Sequence, residues 1–379
     1  MIIVLFLAGA LFSIISLKYF SFPYIWISFY WLMSFGFLTL VTKKIVQKSI
    51  WFNLAFIAFF LGALEVSSFY SINNAENNSR YEGEYTQDYS TSNEILGYAP
   101  NKSKTVTSRK YMGQRLLYNV SYTINDLGLR NSSSSEPLYR DQCILFFGDS
   151  FTFGEGVNDF ETLPYIVQKL SKYPVYNFGF HGYGAHQMLS AIEHGMVKDI
   201  INCKPRIVIY QAALFQVSRS AGYSWWNKHG PRYILLPDGS IKYDGHFDDG
   251  NWIQNKARAQ LAKSFTYKKY LIYKLGKINE KDLKLFIEII SQSQKLLKEQ
   301  YPIIEFHVIY WDDKTTNLNN FFIDALKNKG LHIHLISQIL PDYLSNKSRY
   351  LLSKYDNHPN YIAYQDIAQY VVDKIIQKK

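Results

Sequence analysis

Apolar residues run almost unbroken through about the first seventy positions and then give way to short alternating groups. Residues 1–17 hold no charge and are just long enough to cross a bilayer. Lys18 ends that run. A second apolar run covers 24–41 and a third 50–70, with Glu65 near the end of the third, where the interface would hydrate it. Trp26, Trp31 and Trp51 stand near the ends of these segments, as membrane boundaries favour. Ala8-Gly9-Ala10 imitates a signal-peptide cleavage site. The apolar stretch before it is too short, no basic residues precede it and the apolar run continues past it. The pattern predicts a membrane region over 1–72 with three transmembrane helices, hence a lipid bilayer as one partner.

The link between the second and third runs holds Lys43, Lys44 and Lys48, and the first link only Lys18. Basic residues mark the cytoplasmic side, so everything after the third run is expected outside the cytoplasm. Residues 73–96 are polar, lack apolar periodicity and read as a linker. Residues 97–137 form a small strand-rich prefix, clearest at 116–122, closed by a Ser-rich loop at 131–137. Strand and helix patterns then alternate through 138–379: strands at 143–147, 175–178, 207–210, 303–310 and 331–336, helices at 159–170, 185–200, 281–300, 319–329 and 361–376. That alternation predicts a three-layer α/β/α sandwich with a mostly parallel sheet, flavodoxin-like in type. An insertion spans about 212–274, with a hairpin signal at Pro237-Asp238-Gly239.

Composition narrows the function. Apolar residues make up 47% of the chain and charged ones 19%, which excludes wholesale disorder. The net charge of +10 comes from basic residues scattered along the chain, so no nucleic-acid partner is expected. Cys143 and Cys203 are too few for a disulfide scaffold or a Cys-based metal cluster and read as two small core residues. The abundant Tyr and Phe read as compositional bias rather than as a sugar-stacking signature.

In an open α/β sheet, ligands bind beyond the carboxyl ends of the strands. Three local sequences fall there. Gly148-Asp149-Ser150-Phe151 ends the first strand, exposing a serine hydroxyl beside backbone N–H groups. The glycine-rich turn from Asn177 to Gly184 follows the second strand and can present N–H groups too. Asp356-Asn357-His358-Pro359-Asn360 lies in a loop before the last helix, where Pro359 keeps His358 extended. An Asp two residues before a His can orient an imidazole and stabilise its protonated form. Each signal alone is an ordinary turn or cap. Their shared placement at strand ends sets them apart.

In that order these residues resemble the SGNH hydrolase superfamily, the GDSL-type esterases and acetylhydrolases, from about Cys143 to the C-terminus. The likeness is strongest over Gly148-Asp149-Ser150-Phe151-Thr152-Phe153-Gly154-Glu155-Gly156-Val157. The prefix around Tyr122 to Arg130 is similar to segments preceding the domain in bacterial, surface-polysaccharide-associated members. The resemblance implies Ser150 as nucleophile, His358 as general base and Asp356 as its orienting acid. It also implies Gly182 as an oxyanion-hole donor alongside the Ser150 N–H. One block departs: after the third strand the family carries Gly-x-Asn-Asp, where this chain reads from Tyr210 to Arg219 with no Asn. Gln216 is the nearest substitute as third donor, and Gln211 the reserve. Losing one such donor typically costs about 10²–10³ in rate.

Other motifs fail. Gly182-Tyr183-Gly184 lacks the third glycine of a dinucleotide site, no lipase-type Gly-x-Ser-x-Gly surrounds Ser150, and no His-Glu-x-x-His occurs. His332 and His334 alternate on one strand and read as a half-exposed strand face, not a metal site. The expectation is a membrane-anchored, multi-pass serine esterase with its catalytic domain outside the cytoplasm. It would act without cofactor or metal on an acylated carbohydrate. Its rivals are an O-acetyltransferase using the same triad with an acyl-donor partner in the membrane, and a glycan-binding protein that keeps the fold without turnover.

Overall fold

The computed structural model describes the chain except residues 1, 20–22, 77–78, 88, 134–140, 225, 251–259, 262, 272–277, 313–316 and 379. The chain divides into two compact units, residues 1–78 with 250–277, and residues 79–249 with 278–379. Most of the Ser-rich loop at 131–137 and much of the insertion beyond residue 250 lie outside the described residues.

The first unit holds α1 (Ile2–Tyr19), α2 (Pro23–Val41) and α3 (Ile45–Glu76). Windows of α2 (Tyr24–Val41) and α3 (Ile45–Ile72) are long and apolar enough to cross a membrane, while the described apolar part of α1 is shorter. Phe29, Met33, Phe52, Phe56 and Phe60 stand exposed on these helices. Glu65 departs from expectation: it is buried, not left to the interface. Its carboxylate accepts from the Ser264 hydroxyl at 2.8 Å, the Phe265 N–H at 2.6 Å and the Thr266 N–H at 3.1 Å. A charge in an apolar helix must be matched by donors. Here the returning insertion supplies them from the start of its own short helical turn.

The second unit begins within the segment read as a linker. β1 (Ser79–Glu82) and β2 (Ser90–Asn93) arise there, followed by β3 (Gly97–Pro100), β4 (Lys104–Met112) and β5 (Arg115–Ile124). β1 pairs antiparallel with β4, β4 with β5, and β2 with β3. β1 and β2 escape the apolar-pattern reading because they are short edge strands made largely of polar residues.

The body follows: β6 (Gln142–Phe147), α4 (Ser150–Phe153), α5 (Leu163–Ser171), β7 (Val175–Asn177), α6 (Ala185–Glu193), α7 (Met196–Ile200) and β8 (Lys204–Ala212). After α8 (Phe215–Ser220) comes the hairpin β9 (Pro231–Leu235) and β10 (Ile241–His246). The fold closes with α9 (Glu280–Gln300), β11 (Glu305–Tyr310), α10 (Asn317–Asn328), β12 (His332–Leu335), α11 (Ile336–Ile339), β13 (Leu351–Ser353), β14 (Asp356–Pro359) and α12 (Tyr361–Tyr370). The single helix expected over 185–200 is two, because Gly195 takes a left-handed φ of 76° and breaks it.

The five body strands are parallel and run in the order β7-β6-β8-β11-β12, which is 2-1-3-4-5 in chain order. Alternate strand residues feed opposite faces. Cys143, Leu145, Phe147, Val208, Tyr210, Phe306 and Val308 pack with α6, α9 and α10. Ile144, Phe146, Ile207, Ile209 and Ile309 pack with α5, α11 and α12. Burial on both faces explains the near-continuous apolar strands, and it makes the expected three-layer α/β/α sandwich. Cys143 and Cys203 are 60 residues apart in the chain, yet β6 and β8 are hydrogen-bonded neighbours and the two cysteines form a disulfide. The reading of two unpaired core cysteines is corrected, since parallel neighbours meet without being close in sequence.

At the β11–β12 edge, His307 Nδ1 lies 3.0 Å from His334 Nε2, and His334 Nδ1 lies 2.9 Å from the Tyr370 hydroxyl. His332 is exposed and stacks on His307. Burial, reinforced by the neighbouring imidazoles, pushes His307 and His334 down to about 4. Glu305, itself held by Lys378, pulls His307 the other way without reversing the shift. The unfolded chain therefore takes up protons between about pH 6.5 and 4 that the folded chain refuses, and stability falls as the pH drops through that window. The expected slope is about 1.4 kcal/mol per pH unit for each proton so refused. Thermal unfolding followed by near-UV circular dichroism at pH 7 and pH 4.5 should show the loss, and His334→Gln should flatten it.

Candidate active site

The site forms where β6 ends. Gly148 turns the chain out of the strand at φ 150°, and a Cβ there would lie 2.2 Å from Thr152 Oγ1. Asp149 caps α4 by accepting from the Phe151 N–H at 3.0 Å, which makes Ser150 the first helical residue. Its N–H has no intrahelical acceptor. After β7, Asn177 folds the next turn by accepting from the Gly179 N–H and donating to the Thr152 carbonyl. This pins the glycine-rich turn against the serine segment. Gly182 has φ 73°, and a Cβ on it would come within 2.6 Å of Trp226 Nε1. Neither the Ser150 nor the Gly182 N–H has a partner among the described residues.

The far partner arrives from the C-terminal end. Asp356 and His358 sit on β14, a short strand paired with β13, where a loop was expected. Pro359 still keeps His358 extended. His358 Nε2 lies 2.9 Å from Ser150 Oγ, and His358 Nδ1 lies 2.6 Å from Asp356 Oδ1. Asp356 also accepts the His358 N–H at 3.0 Å, so one carboxylate fixes both the backbone and the ring. Phe151 supports the imidazole edge-on at 5.5 Å. The structure thus brings together Ser150, His358 and Asp356, with the Gly182 turn beside them.

Burial alone would lower His358, but the Glu155 and Asp356 carboxylates outweigh it and hold the imidazole above its usual value. Burial likewise opposes ionisation of Asp356, and His358 and Lys110 outweigh that and keep its carboxyl below its usual range. Lys110 Nζ reaches Asp356 Oδ2 at 2.8 Å from β4, with Asp356 only 1% exposed. Arg219 bridges the two turns, donating to Asp149 Oδ2 at 2.6 Å and to the Tyr183 carbonyl at 2.8 Å. None of Lys110, Glu155, His181 or Arg219 was singled out from sequence. Only Glu155, between two glycines directly after the serine motif, had a position that could have flagged it.

Gln216 does not reach the site. Its Oε1 accepts from the Tyr210 hydroxyl at 2.6 Å and its Nε2 donates to the Gln211 carbonyl at 3.1 Å, inside the core. Gln211, the reserve, donates to Thr152 Oγ1 and accepts from Trp311 Nε1. The expectation of a third side-chain donor from Gln216 is corrected: in a buried amide both ends go to the nearest unmet partners, and here those are Tyr210 and Gln211. At the rim, Trp226 beside Gly182 is 46% exposed, and Phe215 is exposed against Phe151. Among the described residues no three metal-ligating side chains converge.

No family model matches the chain, and no curated protein matches it. Among solved structures it is similar to a protein from Desulfitobacterium hafniense described as lipolytic and of the G-D-S-L family, at 16% identity and TM-score 0.34, covering 61% of this chain and 98% of that one. It is similar to an acetyl xylan esterase from the rumen bacterium Butyrivibrio proteoclasticus, at 13% identity and TM-score 0.37, over 65% of each chain. A family two carbohydrate esterase from Clostridium thermocellum matches at 9% identity and TM-score 0.37, over 65% of this chain and 66% of that one. The chain therefore spans about two thirds of the length of both esterases. The strand order makes this a three-layer α/β/α sandwich, with the serine opening α4 at the end of β6 and the histidine just before α12.

Proposed function

We propose that this protein is a membrane-anchored serine esterase that removes O-acyl, specifically O-acetyl, groups from an extracytoplasmic glycan. The observation that carries the proposal is the Ser150–His358–Asp356 chain, with contacts of 2.9 and 2.6 Å. His358 takes the Ser150 proton as Oγ attacks the ester carbonyl, and Asp356 steadies the imidazolium. The N–H groups of Ser150 and Gly182 receive the oxyanion, so the hole works with two backbone donors. The imidazolium protonates the leaving sugar hydroxyl. Water, activated by the same imidazole, then releases the acyl group from the serine.

The exposed faces of Trp226 and Phe215 favour a carbohydrate, whose C–H faces pack on aromatic rings. The resemblance to surface-polysaccharide-associated members agrees. The apolar exposure of α2 and α3 supports the anchor, and two observations support the sidedness: Lys43, Lys44 and Lys48 between the second and third helices, and the Cys143–Cys203 disulfide. Disulfides persist in oxidising compartments rather than in the cytosol. The test is acetate release by the full chain in detergent from an aryl acetate and from an acetylated oligosaccharide. Release from both supports the esterase. Acetyl transfer to an added sugar acceptor in preference to water would replace it with the transferase. Tight glycan binding without turnover would replace it with the binding protein.

A further inference from the structure

His358 is held on both nitrogens. Asp356 takes Nδ1, and on the other side Glu155 Oε2 lies 3.3 Å from Nε2, the nitrogen that faces Ser150. Glu155 is buried, with its side chain 7% exposed. The same oxygen lies 2.7 Å from His181 Nδ1. The other oxygen accepts from the Tyr81 hydroxyl at 3.3 Å and the Tyr118 hydroxyl at 3.4 Å. The result is a second chain, Ser150–His358–Glu155–His181, running away from the first and ending at His181 Nε2, which is buried with no partner among the described residues. Rings of Tyr85, Tyr89, Phe153 and Phe180 surround His181, its centroid only 4.3 Å from that of Phe153.

This arrangement costs too much to be incidental packing. A buried carboxylate is offset only by donors or charge, and among the described residues no fixed cation sits directly on Glu155. Its neighbours are two imidazoles, two phenols and, further off, the Lys110 ammonium, with Arg130 and Tyr122 facing His181. Burial alone would keep Glu155 protonated, and the charge of His358, then of His181, outweighs it and keeps the carboxyl low. The carboxylate is therefore best matched when His358 carries its second proton, the state that follows attack by Ser150.

We propose that Glu155, oriented by His181, is a positioning residue that receives the Nε2–H of His358 once Ser150 has given up its proton. This rests on the proposed esterase mechanism. In the resting site Nε2 faces the serine hydroxyl. After attack, the new Nε2–H has a carboxylate 3.3 Å away as well as the departing oxygen. The ring is thereby kept charged and in place until the leaving group collects the proton. No bond beyond that proton transfer is made or broken, and the proton ends on the leaving sugar hydroxyl.

The test reads His358 itself. In the full chain, labelled with ¹⁵N-histidine in detergent, the His358 imidazole should titrate above 6.5, because Glu155 and Asp356 outweigh burial and the opposing Lys110. Glu155→Gln removes the negative charge, so the titration should fall by about one unit or more, as for an opposite charge at this distance. The acid limb of kcat/KM should fall with it, the alkaline plateau should drop roughly tenfold through kcat, and KM should stay unchanged. His181→Gln, which keeps a donor towards Glu155, should shift the titration less, and it serves where Glu155→Gln does not fold. A wild-type His358 titrating at or below 6.5, or a midpoint unmoved in the folded variants, would overturn the proposal. Turnover surviving Ser150→Ala would instead overturn the esterase mechanism and leave the titration result standing.

Discussion

Ser150→Ala should lower acetate release by on the order of 10⁴- to 10⁶-fold, to whatever the backbone donors and substrate binding sustain alone. The alanine leaves the His358–Asp356 contact intact and removes the hydroxyl that the proposed mechanism has attack the ester. His358→Ala should be about as severe, and the double variant hardly worse, because neither residue works without the other. Asp356→Asn should cost about 10⁴, through loss of the imidazole's orientation. It also strips Lys110 of its carboxylate, so some of that loss should appear as lower stability. Gln216→Ala is the contrast. With its amide spent on Tyr210 and Gln211, it should change kcat by less than about tenfold while lowering stability. Steady-state kinetics with thermal unfolding of each variant separates the two effects. A Ser150→Ala enzyme of undiminished kcat would remove the nucleophile from the mechanism.

Arg130→Leu should be the most damaging substitution outside the triad, through stability rather than chemistry. Arg130 is fully buried after β5 and reaches into the loop that follows the serine. Its Nη1 donates to the Phe153 carbonyl at 2.8 Å and the Gly154 carbonyl at 2.5 Å, its Nη2 to the Val157 carbonyl at 2.7 Å, and its Nε meets Asp159 at 3.0 Å. The guanidinium lies 4.5 Å from the Tyr122 ring centre and 4.6 Å from that of Phe153. Leucine fills part of the space, takes the guanidinium donors from the Phe153, Gly154 and Val157 carbonyls, and leaves the Asp159 carboxylate with only the Thr123 N–H among the described residues. Breaking a buried pair of this kind typically costs about 3–5 kcal/mol. In a domain of this size that lowers Tm by on the order of 10 °C. Arg130→Lys should recover only part, because an ammonium cannot reproduce the planar fork. A leucine variant melting within a degree or two of wild type would show that the loop holds itself.

The body was legible where one physical cause dominates. Strands buried on both faces read as apolar runs, and helices as repeats of 3.6, so the sheet could be inferred almost strand by strand. Ser150 and His358 stood out not from either motif alone, each an ordinary turn or cap, but from their shared placement at the ends of the body strands and the resemblance that placement carries. β1 and β2 were not legible, since polar edge strands carry no periodic burial. The disulfide was not, since only the sheet order brings Cys143 beside Cys203. Lys110 looked like any surface lysine on an alternating strand, and its value lies wholly in meeting Asp356. Gln216 was misread for the same reason reversed. Its residue type suited the oxyanion hole, while the unmet groups nearest to it lay in the core.

The Lys110–Asp356 pair joins positions 246 residues apart, and the Ser150–His358 contact joins positions 208 apart. Closing loops of that length costs entropy before any contact repays it, so such pairings form late and slow the folding of the chain that holds them. A ribosome finishes β4 and the serine helix long before the residues that answer them leave the exit tunnel. During synthesis the lysine and the serine therefore wait without these C-terminal partners. Until residues 356–358 emerge, neither Ser150 nor Lys110 can make the contact that fixes it in the folded chain.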